Sequence, residues 1–170
     1  CLLRPDNIKN PKKIYLTGGS GTGKTTLAKQ LSKLLKITHY RTDRMTYTRN
    51  FSRRYSEKEK EEKIKTISNK KKWIIEGVHY EDWIKPTFKK ADLVILLNLS
   101  KRITLWRVYK RSKDLIKGKT NHTYKDMFYL LKKTYKHKNK KHLNLIKYHN
   151  KKYLILKTPK QVRDLLERLK

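Results

Sequence analysis

The chain has one cysteine, no long hydrophobic run and few acidic residues. The first two shortages exclude disulfide-bonded and membrane-spanning proteins, and the third determines the charge of the chain. A single cysteine, Cys1, cannot form an internal disulfide or a cysteine metal site, so we expect a reducing, cytoplasmic setting. No apolar run could span a bilayer, and the start has no secretory hydrophobic region, so we expect no membrane partner. A length of 170 residues suits one domain, predicted to cover 1–170.

The shortage of acidic residues leaves the chain strongly basic. There are 46 Lys and Arg against 14 Asp and Glu, a formal net charge of +32. Lys, Asn, Ile and Tyr are abundant together, as an AT-rich coding sequence would produce, but that bias does not explain the few acidic residues. A charge this large attracts polyanions and raises their association rates. Nonspecific affinity for nucleic acid at low salt is expected, and a biological nucleic-acid partner is an open alternative.

Glycine is also scarce, yet most of it lies in one segment that forms a complete P-loop. That segment consists of Gly18, Gly19, Ser20, Gly21, Thr22, Gly23, Lys24 and Thr25, with Thr26 next. It follows the apolar run 14–16 and precedes a helical pattern, the context that the motif requires. Glycines let successive N–H groups surround phosphate oxygens, and the helix N-terminus adds partial positive charge. We expect Lys24 to reach the β- and γ-phosphates of ATP and Thr25 to ligate Mg²⁺.

Strands and helices alternate along the whole chain. Apolar runs predict strands at 14–17, 38–41, 73–75, 93–97 and 153–156. Helical patterns are predicted at about 24–36, at 57–69 with Ser56 as N-cap, from 103, from about 123, and from Pro159. This alternation predicts an α/β fold, a three-layer sandwich with a mostly parallel sheet and helices on both faces. Ligands of such folds bind at the carboxyl ends of the strands, where the P-loop, Asp43, Glu76 and Asn98 fall.

The strand-end acids are candidates for handling the acceptor and the metal. Asp43 could hold the acceptor or take its proton, with Arg41 or Arg44 on an acceptor phosphate; a turn Asp with solvated arginines is the alternative. Glu76 could order a Mg²⁺-bound water or bind the acceptor. Strand 93–97 is followed by Asn98, where a Walker B element would have Asp. Metal binding then falls to Thr25, Glu76 or Asp43.

Three further patterns concern cations and aromatic residues. Arg107 and Arg111 are four apart, so on a helix they share a face and could neutralise a transferring phosphoryl group, although such spacing is common in so basic a chain. The basic tract 132–142, predicted on the long helix from about 123, is either a solvated face or a phosphate-tracking surface. That helix is predicted to carry Tyr124, Met127, Phe128, Leu131 and Tyr135 on one face. The tryptophans are predicted to pack in or near the core: Trp73, Trp83 and Trp106.

Together these segments resemble the adenylate-kinase-related P-loop proteins known as DNA topology modulation proteins. The resemblance rests on the P-loop, the Asp43 segment, Trp73-Ile74-Ile75-Glu76-Gly77 with Tyr80, Ala91-Asp92, Arg107-Val108-Tyr109-Lys110-Arg111 and the segment 156–162. It implies a nucleoside-monophosphate-kinase-like fold with a five-stranded parallel sheet and a mobile arginine-bearing lid, about 101–123. In that family the usual residue at the positions of both Glu76 and Asn98 is Asp.

The resemblance also assigns roles to five residues as the catalytic set. Lys24, with Thr25, matches the family's phosphate and Mg²⁺ residues; Asp43 and Glu76 match acidic positions of its acceptor side; Arg107 and Arg111 match its lid arginines. The leading interpretation is an ATP-dependent, Mg²⁺-using phosphotransferase that acts on a nucleotide or another small acceptor. A nucleic-acid-binding ATPase or polynucleotide kinase is the second, and nucleotide binding without catalysis the third.

Overall fold

A computed structural model describes residues 2, 8, 10–46, 53–79, 81–118, 121–136, 139–149 and 152–170; Cys1, Tyr80 and residues 137–138 lie outside them. The strands within these ranges are β1 Lys13–Gly18, β2 His39–Arg41, β3 Trp73–Glu76, β4 Leu93–Leu97 and β5 Tyr153–Leu156. The helices are α1 Lys24–Leu35, α2 Asp43–Thr46, α3 Glu57–Ser68, α4 Lys85–Lys90, α5 Lys101–Lys117, α6 Tyr124–Lys136, α7 Lys140–Tyr148 and α8 Pro159–Arg168. None of these helices is long and apolar enough to cross a bilayer.

The strands form one parallel sheet in the order β2-β3-β1-β4-β5. At its centre, Leu16 of β1 pairs in register with Glu76 of β3 on one side and Ile95 of β4 on the other. The whole of β4 is buried, as expected for an unbroken apolar strand with neighbours on both sides. The predicted α/β class and the five-stranded parallel sheet are therefore confirmed.

Alternate side chains of each strand enter two separate cores, one on each face of the sheet. Ile14 and Leu16 belong to one core, which the apolar faces of α1 and α8 complete. Tyr15 points into the other, where it meets Ile64 of α3 and Phe88 of α4. Helices thus cover both faces, and the carboxyl ends of the strands stay open at one edge.

Side-chain caps fix where several helices begin. Ser56 accepts a hydrogen bond from the Glu59 N–H, and the Glu59 carboxylate accepts one from the Ser56 N–H, so the predicted cap of α3 is a full capping box. Thr158 and Gln161 make the same arrangement at α8. The hydroxyl of Ser100 caps α5, which therefore starts two residues before the predicted position.

The predicted continuous helix through the basic tract 132–142 is wrong. α6 ends at Lys136, and a separate helix, α7, begins at Lys140 with Asn139 as its N-cap. The division lets α7 turn Ile146 fully into the core while α6 packs along α5. The short α4 and the 3₁₀ turn before it, Asp82–Ile84, also had no counterpart among the predicted helices.

The aromatic residues of α5 and α6 are more exposed than their spacing predicts. Trp73 and Trp83 are buried as expected, but Trp106 is 64% exposed, so its predicted packing is wrong. On α6 only Met127 of the predicted apolar face is buried; Tyr124, Phe128 and Tyr135 are exposed. The helix packs along α5, and its buried residues are Met127 and Thr134, so most of the aromatic side stays exposed to solvent.

Candidate active site

The P-loop joins the centre of the sheet to α1 through glycines in the left-handed region. Gly21 has a φ of 72° and Gly23 a φ of 93°, conformations that L side chains rarely adopt. A Cβ at Gly21 would also lie 2.6 Å from the carbonyl oxygen of Thr104 on α5. The loop is braced from within, because the Thr22 hydroxyl donates to the Gly19 carbonyl oxygen over 2.8 Å. The P-loop is therefore a compact loop that requires glycine at positions 21 and 23.

Lys24 turns its ammonium group back onto this loop. Its Nζ donates to the Gly19 carbonyl oxygen at 2.7 Å. Burial lowers the pKa of Lys24 to about 8, although the nearby carboxylates of Glu76 and Asp43 raise it in part. The group is thus a cation held in a poorly solvated position, which anionic oxygens would stabilise strongly.

Glu76 ends β3 directly beside the start of α1. Its carboxylate is buried and accepts a hydrogen bond from the Thr25 hydroxyl, at 2.8 Å to one oxygen and 3.0 Å to the other. Burial by itself would raise the pKa of Glu76, but contacts with His39 and Thr25 and the charge of Lys24 outweigh it and hold that pKa below its usual range. The site therefore contains one ionised, buried carboxylate aligned with the P-loop hydroxyl.

Two residues of β2 complete the surroundings of Glu76. His39 Nε2 and Arg41 Nε each lie 3.4 Å from Glu76 Oε1. Arg41 pairs with Glu76 in the β2–β3 register, and His39 lies two residues earlier on the same side of β2. The role of His39 was not foreseen, since it depends on strand pairing and leaves no local signal in the sequence.

Asp43 lies at the first residue of α2, with its side chain largely exposed to the cavity. Its carboxylate oxygens are 3.5 Å from an Arg41 terminal nitrogen and 3.9 Å from His79 Nε2. The neighbouring Arg44, also considered from the sequence, does not line the cavity. Asp43 is therefore an accessible carboxylate next to Arg41 rather than an isolated turn residue.

Arg107 and Arg111 reach the same cavity from α5. Arg107 donates to the Thr22 carbonyl oxygen at 3.3 Å, which fastens α5 to the P-loop. The cavity measures about 460 Å³, and around it lie the P-loop, Arg41, Asp43, Glu76, Arg107, Arg111 and Lys133. All five residues predicted as catalytic thus meet in one space. Lys133 of α6 was missed, because a single lysine in a basic tract carries no distinguishing signal.

A second cavity opens on the far side of Arg107. It measures about 450 Å³, and its walls are mainly apolar, with Leu27, Leu99, Pro159 and Val162 among them. Arg107 borders both cavities, between the polar space above the P-loop and this apolar one. A ligand with a charged part and a flat apolar part could therefore occupy the two together.

Asn98 does not join the Thr25–Glu76 pair. Its side-chain oxygen accepts a hydrogen bond from the Asn139 amide at 2.8 Å, and it borders a third cavity behind Gly19 and Ser20. Within the described residues no group of three His, Cys, Asp or Glu could hold a metal ion by itself. The Thr25 hydroxyl and the Glu76 carboxylate are nevertheless hard oxygen ligands of the kind that Mg²⁺ uses beside substrate phosphates. These two residues fit the ion, and their role as its ligands stays a prediction.

Comparison with known sequences identifies a nucleotide-binding family. A family model described as an AAA domain, AAA_18, matches residues 14–127. The uncharacterized protein YqaC of Bacillus subtilis (strain 168) is 33% identical over 103 residues, which cover 59% of this chain and 56% of that protein. The aligned part of the chain thus spans about half the length of this relative.

Comparison with solved structures identifies the fold. Shikimate kinase from Acinetobacter baumannii in complex with shikimate has a TM-score of 0.58 and 17% identity over 98% of this chain and 94% of that one. A gluconokinase from Sinorhizobium meliloti 1021 has a TM-score of 0.56 and 12% identity, over 95% of this chain and 93% of that one. A shikimate kinase from Bacteroides thetaiotaomicron also has a TM-score of 0.58, at 17% identity over 94% of this chain and 96% of its own. The fold is that of P-loop kinases, while the narrower resemblance to DNA topology modulation proteins stays a prediction.

Proposed function

The chain belongs to the AAA_18 family of AAA domains, and from that premise we propose that it transfers the γ-phosphate of ATP to a small anionic acceptor. One observation carries the proposal: Lys24, Asp43, Glu76, Arg107 and Arg111 border a single cavity of about 460 Å³. Phosphoryl transfer requires clamped phosphates, neutralised charge and an aligned acceptor rather than covalent help from the protein. This cavity contains a residue type for each of these tasks.

The donor nucleotide is proposed to lie across the two cavities that Arg107 separates. The polyphosphate would accept hydrogen bonds from the P-loop N–H groups beside Lys24, where the α1 N-terminus adds partial positive charge. The base would occupy the second cavity against Leu99, Pro159 and Val162, which offer flat apolar contact. In that position Arg107 lies next to the phosphates, where its guanidinium can share charge with their oxygens.

The acceptor is proposed to bind between Arg41, Asp43 and Lys133. The two cations favour a ligand that carries phosphate or carboxylate, and Asp43 is the carboxylate available to orient a hydroxyl. The volume suits a small molecule, since ligand cavities commonly measure about 300–1,000 Å³. A nucleoside monophosphate, or a hydroxy acid of comparable size, meets these requirements.

The reaction needs one proton transfer when the acceptor is a hydroxyl. The acceptor oxygen bonds to the γ-phosphorus, the bond from that phosphorus to the β-bridging oxygen breaks, and the hydroxyl proton passes to Asp43. Arg107 and Arg111 stabilise charge on the transferring group and on the departing ADP. Thr25 and Glu76 would hold Mg²⁺, which when bound neutralises charge on the β- and γ-oxygens.

The test is phosphoryl transfer from γ-labelled ATP with Mg²⁺ to a panel of acceptors. The panel contains nucleoside monophosphates, nucleosides, shikimate and gluconate, the last two because the structural neighbours are a shikimate kinase and a gluconokinase. Label is expected on one small acceptor class, and Lys24→Ala is expected to lower turnover by several orders of magnitude.

The matched control is Lys29→Ala, which removes an exposed lysine of the same helix, α1, and should retain wild-type turnover. Thermal unfolding of both variants establishes that the fold persists. Equal turnover of Lys24→Ala and Lys29→Ala would refute the site, and ATP binding without transfer to any acceptor would refute the kinase activity.

A further inference from the structure

The outer side of α5 and α6 carries an aromatic groove that the proposed kinase chemistry does not use. We define the aromatic groove by Trp106 and Tyr109 of α5 and by Leu131 and Tyr135 of α6, with Arg102 and Lys132 at its edges. Its volume is about 570 Å³, and it opens widely to solvent. Arg107 and Arg111, which reach the phosphate cavity, lie on a different side of α5.

Two rings of the groove, those of Trp106 and Tyr135, are largely exposed to solvent. Trp106 is 64% exposed and Tyr135 is 59% exposed, which is a large exposed fraction for aromatic side chains of this size. Trp106 and Tyr109 lie together, with ring centroids 5.9 Å apart. On α6 the exposed Tyr124 and Phe128 continue the side that carries Tyr135, since their spacing keeps them on one helix face. The aromatic surface from Tyr124 to Tyr135 is about 16 Å long.

Lysine and arginine side chains lie close to these rings. Lys101 Nζ lies 4.3 Å from the centre of the Tyr135 ring, and Lys113 Nζ lies 5.8 Å from that of Tyr109. No Asp or Glu lines the groove, and among the described residues neither Arg102 nor Lys132 forms an ion pair. A second copy of the chain would bring the same cations against this surface, and repulsion opposes such pairing. The cations therefore favour a polyanionic ligand, and the exposed rings favour one that also has flat apolar faces.

We propose that the aromatic groove binds single-stranded nucleic acid, with bases stacked on Trp106 and Tyr135 and phosphates held by Arg102 and Lys132. Single strands expose the faces of their bases, whereas a duplex keeps them stacked inside. A length of about 16 Å corresponds to about four or five nucleotides at the roughly 3.4 Å spacing of a duplex strand, and to fewer when the single strand is extended over the rings. The net charge of +32 would draw any polyanion to the protein, and the rings supply the preference for a single strand.

The test separates ring stacking from simple charge attraction. Binding of a fluorescein-labelled oligodeoxythymidine of about 20 nucleotides is followed by anisotropy at near-physiological salt. The variant is Trp106→Ala combined with Tyr135→Ala, and the control is Tyr148→Ala, which removes another exposed aromatic residue, on α7, away from the groove. None of these changes alters the charge. We expect the groove variant to bind at least about tenfold more weakly with an unchanged salt slope, and the control to bind within about twofold of wild type.

Tryptophan fluorescence gives an independent measure that does not depend on the alanine variants folding. Trp73 and Trp83 are buried, so quenching by the oligonucleotide would come from Trp106. Trp106→Phe is expected to keep most of the affinity and to lose the quenching. The proposal is overturned if the groove variant and Tyr148→Ala bind equally, if a duplex of the same length binds as tightly as the single strand, or if wild-type fluorescence does not change. Trp106-dependent binding to anionic vesicles without oligonucleotide binding would also overturn it.

Discussion

Nucleotide affinity should fall by about tenfold between about pH 7 and pH 9, because Lys24 loses its proton over that range. Burial lowers the pKa of the Lys24 ammonium group to about 8, with partial compensation from Glu76 and Asp43. The free protein then holds this group charged in about nine-tenths of molecules at pH 7, half at pH 8 and one-tenth at pH 9. Only the charged form clamps a polyphosphate, so the apparent affinity follows that fraction. The nucleotide affinity has its full value well below the pKa of Lys24 and falls as the pH rises through that pKa.

The assay is calorimetric titration with a non-hydrolysable ATP analogue at fixed Mg²⁺ and ionic strength. Glu76→Gln should move the midpoint to lower pH, because the Glu76 carboxylate is the main charge that raises the pKa of Lys24. Lys29→Ala should leave the midpoint unchanged, because Lys29 is exposed on α1. A wild-type affinity that is flat over this range, or a Glu76→Gln midpoint at higher pH, would show that the electrostatic reasoning is wrong.

Three further predictions follow from the site. Gly21→Ala should destabilise the protein by about 1–3 kcal/mol and weaken nucleotide binding, because a methyl group there would lie 2.6 Å from the Thr104 carbonyl oxygen; a melting temperature equal to wild type would contradict this. Glu76→Gln should reduce the loss of folding stability in acid, as urea unfolding at several pH values would measure. The pKa of Glu76 is lower in the folded protein than its value of about 4.3 in the unfolded chain, so the ionised carboxylate adds stability above that pH, and this stability is lost as the pH falls through the folded pKa. Arg107→Ala should reduce turnover by about 10³-fold or more while Lys110→Ala, an exposed neighbour on α5, retains it, and equal steady-state rates would exclude a role for Arg107.

The parts of the site that depend on local sequence could be predicted. The P-loop is contiguous, and its glycines, lysine and threonine are recognisable without any knowledge of distant residues. Asp43 and Glu76 were identified because parallel strands end at one edge of the sheet, so acids that follow different strands converge there. Arg107 and Arg111 were identified by helical spacing together with a family resemblance, and the structure brings both to the cavity.

The parts that depend on tertiary pairing could not be predicted. His39 approaches Glu76 only because β2 pairs with β3 in a particular register, which the sequence does not state. Lys133 reaches the cavity because α6 packs along α5, and nothing separates it from the other lysines of its tract. The exposure of Trp106 was missed for a related reason: helical periodicity shows that apolar residues share a face, but not whether anything covers that face.

Helix α5 lines two different cavities, with Arg107 at the phosphate cavity and Trp106 at the aromatic groove, and each is proposed here to bind a ligand. Thermodynamic linkage makes any communication between them reciprocal. If an oligonucleotide on the groove changes the affinity for ATP by some factor, ATP must change the affinity for the oligonucleotide by the same factor. The dissociation constants of the two ligands, each measured with and without the other, form a closed thermodynamic cycle. The coupling free energy of that cycle measures how strongly α5 links the two sites.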